Sequence, residues 1–440
     1  MKFSFLFSLI LLLSLGSCLD VGEEFDGPAP GTWRAVLQLD PDFITNNKKG
    51  EPLPEKMNMK FPDIITTQLP FNFNVVYKEN DKINVEIQNG SETIVVEDIL
   101  IGRDRKTAKD TILIDFPIYE SSIKAIYQGN VMAGNWIVHS KDDYQIPFKA
   151  HFGKDYRFTV NNKKPAVDLS GEWKVKFTDT GDPYMAIGEF KQEGNHLTGT
   201  FITETGDYRF LEGTVQGKKM YLSCFDGSHA FLFEAKLSDD NTELRGRFKS
   251  GKHYTAFWEA SKDPDFTLKD ANTLTYLKPG FDKIEFSFKD TEGNMVSLED
   301  KNYQGRPKII QIFGTWCPNC RDETEFLMDY IKKNPSQEFD IIALGFEKYK
   351  DATKSVNALK KYKDKFKLPY PLLHAGSSNK VEAAKALPML NAIISYPTMI
   401  FLDRNNQVKK IHTGFSGPAT SQFEAFKEEF ASNIQNILTE

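Results

Sequence analysis

The hydrophobic pattern changes character along the chain. From residue 31 to about 262, short runs rich in Val, Ile, Thr, Tyr and Phe alternate with polar residues. Gly, Asn and Asp interrupt them at intervals of roughly ten residues. Ile83-Asn-Val-Glu-Ile87, Leu197-Thr-Gly-Thr-Phe-Ile202 and Ala230-Phe-Leu-Phe-Glu-Ala235 are examples. Period-two alternation broken by turn residues predicts antiparallel strands. From Glu285-Phe-Ser-Phe288 the pattern becomes α/β, with a turn at Asp290-Thr-Glu-Gly293 before Met295-Val-Ser-Leu298. Lys308-Ile-Ile-Gln-Ile-Phe313 and Asp340-Ile-Ile-Ala-Leu-Gly-Phe346 read as buried strands, and a helix between them carries Phe326, Leu327, Tyr330 and Ile331 on one face. A Lys-rich helix with a solvated face is predicted over 351–366, a short strand at Tyr370–His374 and a helix over about 378–390. Strands follow at 398–402 and 408–412, joined by an Asn405-Asn406 turn. The last helix opens on Ser421-Gln-Phe-Glu424, a capping-box pattern. Strands alternating with helices predict a mainly parallel sheet covered on both faces.

The β region repeats. Gly31-Thr-Trp33 matches Gly171-Glu-Trp173, and Tyr144-Gln-Ile-Pro-Phe148-Lys-Ala150 matches Tyr254-Thr-Ala-Phe-Trp258-Glu-Ala260. Between them, Gly134-Asn-Trp136 echoes Gly246-Arg-Phe248. Two tandem all-β units are expected, at 31–160 and 168–262, the first with an insertion near 40–68. Each is an antiparallel barrel or a closed sandwich, forms that remove exposed sheet edges. The Gly-x-Trp opening is similar to the first strand of lipocalin-like barrels. Residues 263–284 are expected as a linker and 285–440 as the α/β domain, giving a multidomain chain.

The start of the chain follows a different logic. Lys2 precedes an apolar run from Phe3 to Leu15, too short for a permanent span, and Leu15-Gly16-Ser17-Cys18 follows. This tetrapeptide resembles the bacterial lipoprotein processing box, which implies a leader over 1–17, a lipidated Cys18 and a polar tether to residue 30. The expected localisation is the cell envelope, periplasmic, with the lipid as the membrane attachment. At 440 residues, 40% hydrophobic and 26% charged, the chain suits about three globular domains. A formal charge of −6, with no basic stripe, sets nucleic acid aside as a partner.

There are four cysteines. With Cys18 taken as the anchor and Cys317 and Cys320 in a C-x-x-C pair, no structural disulfide framework exists, so the pair has a chemical task. Cys224, in a strand-like run, is expected as a buried apolar residue. Thr315-Trp-Cys317-Pro-Asn-Cys320 lies between a buried strand and a helix. That places Cys317 at a helix N-terminus, where unpaired N–H groups and the macrodipole favour a thiolate. Cys320, one turn inside, is within bridging reach. Cys317 would attack a substrate disulfide and Cys320 would resolve the mixed disulfide. A zinc site would need two further ligands, and the seven histidines are dispersed, so neither metal nor cofactor is expected.

Residues 286–440 resemble the TlpA/ResA-like branch of the thioredoxin superfamily. The resemblance rests on Trp316-Cys-Pro-Asn-Cys-Arg-Asp-Glu323, a strand–helix insertion at about 368–390, Tyr396-Pro-Thr-Met-Ile-Phe-Leu-Asp403 and Ile411-His-Thr-Gly414. It implies a cis Pro397 facing the cysteines, and a substrate groove of Trp316, Pro318, Asn319, Tyr396, Pro397 and Thr398. It also implies that Glu323 modulates the thiols, taking the Cys320 proton, with a solvated first-turn carboxylate as the bland alternative. Glu347 ends a buried strand, where it faces the same cleft as a further acid/base candidate. Thioredoxins proper keep a buried Asp six residues before the first Cys; this chain has Gln311 there, which shifts the proton-relay role to Glu323 or Glu347.

The resemblance implies a thiol–disulfide oxidoreductase that reduces cysteine-containing exported proteins and draws electrons from a membrane thiol-transfer donor. Oxidase or isomerase chemistry on the same residues is the alternative. A second alternative makes the β repeats primary, binding a ligand or an envelope partner.

Overall fold

The computed structural model describes residues 27–39, 67–79, 82–179, 181–335 and 338–439. The leader, Cys18 and most of the 40–68 insertion lie outside the described residues. The chain forms two nine-stranded antiparallel sheets and one seven-stranded mixed sheet.

In the first sheet the strand Gly31–Gln38 pairs with both Gln68–Tyr77 and Gln145–Phe152, so a meander is rolled until first and last strands meet. Strands Glu92–Val96 and Ile99–Arg103 are its two edges, which leaves it a half-barrel. The second sheet repeats the arrangement: Gly171–Thr178 pairs with Tyr184–Glu193 and with Tyr254–Ser261. There, pairing of Tyr184–Glu193 with His196–Thr203 closes the ring.

Both sheets seat their opening Trp in the same way. The indole N–H of Trp33 donates to the Ala29 carbonyl at 2.9 Å, and that of Trp173 to the Leu169 carbonyl at 2.8 Å. Both rings are buried, a burial that stabilises each unit by about 2–3 kcal/mol per ring. Gly134 and Gly246 are matched too. A Cβ at Gly134 would lie 2.0 Å from the Lys124 carbonyl oxygen, and one at Gly246 2.3 Å from that of Glu234. Only glycine admits a neighbouring strand this closely.

The sheets are fused by one strand. Ala230–Ala235 carries the alternating pattern, yet nearly all of the strand Ala230–Leu237 is buried. Its even-numbered Ala230 and Leu232 join the first core with Phe225, while Phe231, Phe233 and Ala235 fill the second barrel. Phe225 stacks on Phe71 at 4.5 Å and meets Trp136 edge-on at 5.3 Å. Cys224 is fully buried in the second core.

The expected linker is seated on the C-terminal domain. Asp270 caps a short helix, Ala271–Leu274, and Leu277 and Lys283 bridge to Leu390 and Gln407. The C-terminal sheet runs in the order 295–297, 287–290, 372–377, 340–347, 308–313, 398–402, 408–413. It is not mainly parallel. Only Lys308–Phe313 with Asp340–Glu347, and the latter with Leu372–Ser377, run parallel. Thr398–Leu402 and Val408–Thr413 are joined by a tight turn in which Asp403 N–H donates to the Gln407 carbonyl at 3.0 Å, and so short a connection permits only an antiparallel hairpin.

Helices Pro318–Lys333 and Phe423–Thr439 pack through Phe326, Tyr330 and Phe430, with ring centroids 4.9 Å apart. The helix expected over 378–390 is only Lys380–Ala386, because Pro388 bars its continuation. The capping box at Ser421 is not formed: its N–H and hydroxyl both donate to Glu189 of the second barrel. No helix among the described residues is long and apolar enough to cross a membrane.

Candidate active site

The strand Lys308–Phe313 is buried along its whole length and delivers the chain through Gly314, Thr315 and Trp316 to the helix Pro318–Lys333. Cys317 is the N-cap of that helix, with extended backbone, and Pro318 takes the first helical position, where a missing N–H costs nothing. The Cys317 sulfur accepts from the Cys320 N–H at 3.4 Å, so it occupies the place of a capping oxygen. It also lies 3.4 Å from the Tyr396 carbonyl. Cys317 is 7% exposed and Cys320 is fully buried. The two sulfurs are unbridged thiols. Burial, with the Cys317 sulfur beside it, pushes the Cys320 thiol well above its ordinary range. One sulfur faces outward and one waits behind it.

The Tyr396–Pro397 peptide is cis, as the motif implies. The Pro397 carbonyl accepts from Gly414 N–H at 2.9 Å, and the Thr398 hydroxyl donates to Ser395 at 2.9 Å, which pins the loop opposite the cysteines. Tyr396 meets Trp316 edge-on at 5.5 Å. The Trp316 indole donates to the Phe346 carbonyl at 3.0 Å, which fixes the ring beside Cys317.

Both flanking carboxyls are buried. Glu323 is not a solvated first-turn residue; it is fully buried one turn after Cys320. One of its oxygens accepts from the Gln311 amide at 2.8 Å and the other has no partner. Burial raises its pKa to about 8, against the opposing pull of Gln311. Gln311 thus holds the carboxylate that this chain lacks at position 311 itself. Glu347, at the end of Asp340–Glu347, accepts from the Thr315 N–H at 3.0 Å and from its hydroxyl at 2.8 Å. Burial raises it to about 7, with the Thr315 bonds opposing.

The residues missed by sequence reasoning come from the second barrel. Its Thr203–Arg209 segment lies along the rim of the cysteine motif. The Ser395 hydroxyl donates to the Thr205 carbonyl at 2.7 Å, and the Asn319 amide to the Asp207 carbonyl at 3.1 Å. Asn319 thus lines the cleft beside Cys317 with its amide held by the barrel. Arg209, 2% exposed, reaches the Pro318 carbonyl at 3.3 Å and pairs with Asp322 of the helix and Glu92 of the first sheet. Asp226 lies 3.5 Å from the same guanidinium. No local signal marks Arg209, since its partners are over 100 residues away except Asp226. Lys348 precedes the Lys-rich helix Ala352–Phe366 and sits over the Trp316 ring at 4.1 Å.

The Redoxin family model matches residues 260–426. The chain is similar to the thiol-disulfide oxidoreductase ResA of Halalkalibacterium halodurans, with 24% identity over 151 residues, 34% of this chain and 76% of that protein. It is similar at 27% over 149 residues to ResA of Geobacillus thermodenitrificans, 34% of this chain and 74% of the relative. Among solved structures, a putative thiol:disulfide interchange protein DsbE from Chlorobium tepidum covers 36% of this chain and 99% of its own, at 19% identity and a TM-score of 0.28. A C-x-x-C at a helix N-terminus, the Redoxin match and the ResA relatives make the protein a thiol–disulfide oxidoreductase whose C-terminal domain is TlpA/ResA-like.

Proposed function

We propose that the protein reduces disulfides of exported proteins through Cys317 and Cys320. The Cys317 thiolate attacks one sulfur of the client, the other leaves as a thiol, and a mixed disulfide forms. Cys320 then gives up its proton, attacks the Cys317 sulfur and releases the second client thiol. Two electrons pass to the client, and a membrane thiol-transfer donor restores the dithiol.

Glu323 is the acceptor for the Cys320 proton. It is buried beside the resolving thiol, its charge opposes ionisation of Cys320, and one oxygen is unpartnered. Glu347 is a positioning residue, since it grips Thr315 on the approach to Cys317. Trp316, Pro318, Tyr396, Pro397 and Thr398 form the substrate wall. The observation that carries this reading is the single-sided geometry of the two sulfurs, one at the surface of a helix end and one sealed beneath it.

The same proposal places the protein in the envelope, held by a lipid on Cys18, with boundaries at 31–160, 168–262 and 285–440. Two copies of one β unit account for the matched Trp33 and Trp173 bonds and the matched Gly134 and Gly246 approaches. The direction of transfer is tested by the Cys317/Cys320 reduction potential. This fold spans about −270 to −120 mV. A value near the reducing end supports the assignment; one near −120 mV makes the protein an oxidant. Trapping with Cys320→Ser, followed by identification of mixed-disulfide partners, names the clients. A Cys317→Ser, Cys320→Ser variant with full cellular function would leave the β units as the primary part.

A further inference from the structure

Cys317 opens into a cleft of about 910 Å³ between the redox domain and the β sheets. Trp316, Cys317 and Tyr396 line one side. The opposite side is an end of the second barrel, where Tyr184, Tyr208, Phe231, Phe248 and Tyr254 converge. Phe248 lies 5.1 Å from Tyr208 and 5.4 Å from Phe231, centroid to centroid. An aromatic barrel mouth of this volume is suited to a small or extended ligand.

The charge around it is one-sided. Lys348 comes from the redox domain, Lys141 from the first sheet and His253 from the second. Neither lysine has an ion-pair partner among the described residues; each rests on an aromatic ring, Trp316 and Tyr144. His253, beside them, is pulled down to about 4, by withdrawal from solvent first and then by Lys141, Lys348 and His229, so it is neutral near pH 7 and the positive charge is that of the lysines. The carboxylates that line the cleft already have partners, one of them the lining Lys269. Glu204 lies 3.7 Å from Lys269, and Asp207 accepts from the backbone N–H groups of Arg209 and Gly417. Two lysines whose nearest counter-charge, Glu347, is turned into Thr315 form a site complementary to an anion.

Building on the redox reading above, we propose that this cleft is the substrate site, and that it selects a disulfide flanked by carboxylates, carried by a small molecule or by an extended acidic segment. A folded surface is disfavoured because the Thr205–Arg209 segment already lies along Ser395, Asn319 and Pro318. In the reaction Cys317 attacks the sulfur nearest the lysines, the distal sulfur leaves and takes a proton, and Cys320 displaces the bound thiol. The substrate gains two electrons and two protons. The dithiol is restored by an external dithiol, which is dithiothreitol in the assay.

The test uses the full chain, reduced with dithiothreitol and freed of excess reductant. It is mixed with glutathione disulfide, which carries carboxylates, with cystamine, which carries amines, or with folded insulin, and loss of the two thiols is timed. Each rate is normalised to that of the same disulfide with free dithiothreitol. We expect glutathione disulfide to exceed cystamine by about tenfold or more, with the ratio falling toward one at high salt. Lys141→Met with Lys348→Met lowers the ratio, and Lys348→Arg restores it. A disulfide-bridged acidic peptide distinguishes the two sources: the faster of it and glutathione disulfide identifies the natural form. Equal normalised rates for glutathione disulfide and cystamine, or insulin ahead of both, overturn the proposal while leaving the redox reading standing. Thiols that no probe oxidises sink the redox reading itself.

Discussion

At the scale of single residues, the site depends on carboxyls held where water does not reach. Glu323 is the clearest case, and its titration has a definite sign. Its pKa rises from 4.5 to about 8 on folding. Below pH 4.5 both states are protonated and the group costs nothing. As pH climbs from 4.5 to 8 the unfolded chain releases this proton first, so stability falls, by an amount on the order of a few kcal/mol. Glu347 acts in the same direction up to about pH 7. Glu323→Gln is therefore expected to flatten the fall of Tm over pH 4.5–8, as scanning calorimetry would register. The same variant should slow resolution of a mixed disulfide about a hundredfold near pH 8, measured by stopped flow. Equal resolution rates in variant and wild type would remove Glu323 from the mechanism. The cysteines and Pro397 were legible because their motif is local. The burial of Glu323 was not, because a charged residue near a helix start is ordinarily solvated, and what desolvates it is the sheet beneath, against which Gln311 supplies one compensating hydrogen bond.

At the scale of elements, patterning located the strands and helices from residue 308 onward, and the errors lie where two elements meet. Asn405-Asn406 marks a turn, and a turn so short forces an antiparallel hairpin where strand–helix alternation predicts a parallel neighbour. Ser421 has the pattern of a cap, yet Glu189 takes both its donors. The repeated glycines make a direct test of the strand packing. Gly246→Ala places a methyl 2.3 Å from the Glu234 carbonyl oxygen, and Gly134→Ala one 2.0 Å from that of Lys124. Both atoms are backbone, so relief requires a strand to move. Each variant should lose on the order of 1–3 kcal/mol, read from denaturant unfolding. No change in either midpoint would mean that the strands are less closely paired than described.

At the scale of the whole molecule, one buried guanidinium ties three sheets together. Arg209 leaves the second barrel, meets Glu92 of the first sheet, and grips Pro318 and Asp322 at the head of the redox helix. Arg209→Met would strand Glu92 and Asp322 as uncompensated charges, while Asp226 keeps His229, a loss of about 3–5 kcal/mol. The expected consequence reaches Cys317, whose shelter depends on the same segment. Alkylation of Cys317 by a small thiol reagent should accelerate in Arg209→Met under native conditions, with Cys320→Ser as the background to isolate one thiol. An unchanged alkylation rate would show that the barrel does not shelter the site.

The sequence by itself determined the strands and helices of the α/β region, the change from β to α/β patterning, and the C-x-x-C pair between a buried strand and a helix. Each of these is encoded within a turn or two of the chain, by side-chain period or by adjacent residues. Tertiary structure alone decided which carboxyl is desolvated, how one strand serves two cores, and that a barrel mouth faces Cys317. Those features join residues that are far apart in sequence, and their energies come from burial and from fields between distant groups, to which a local pattern carries no signal.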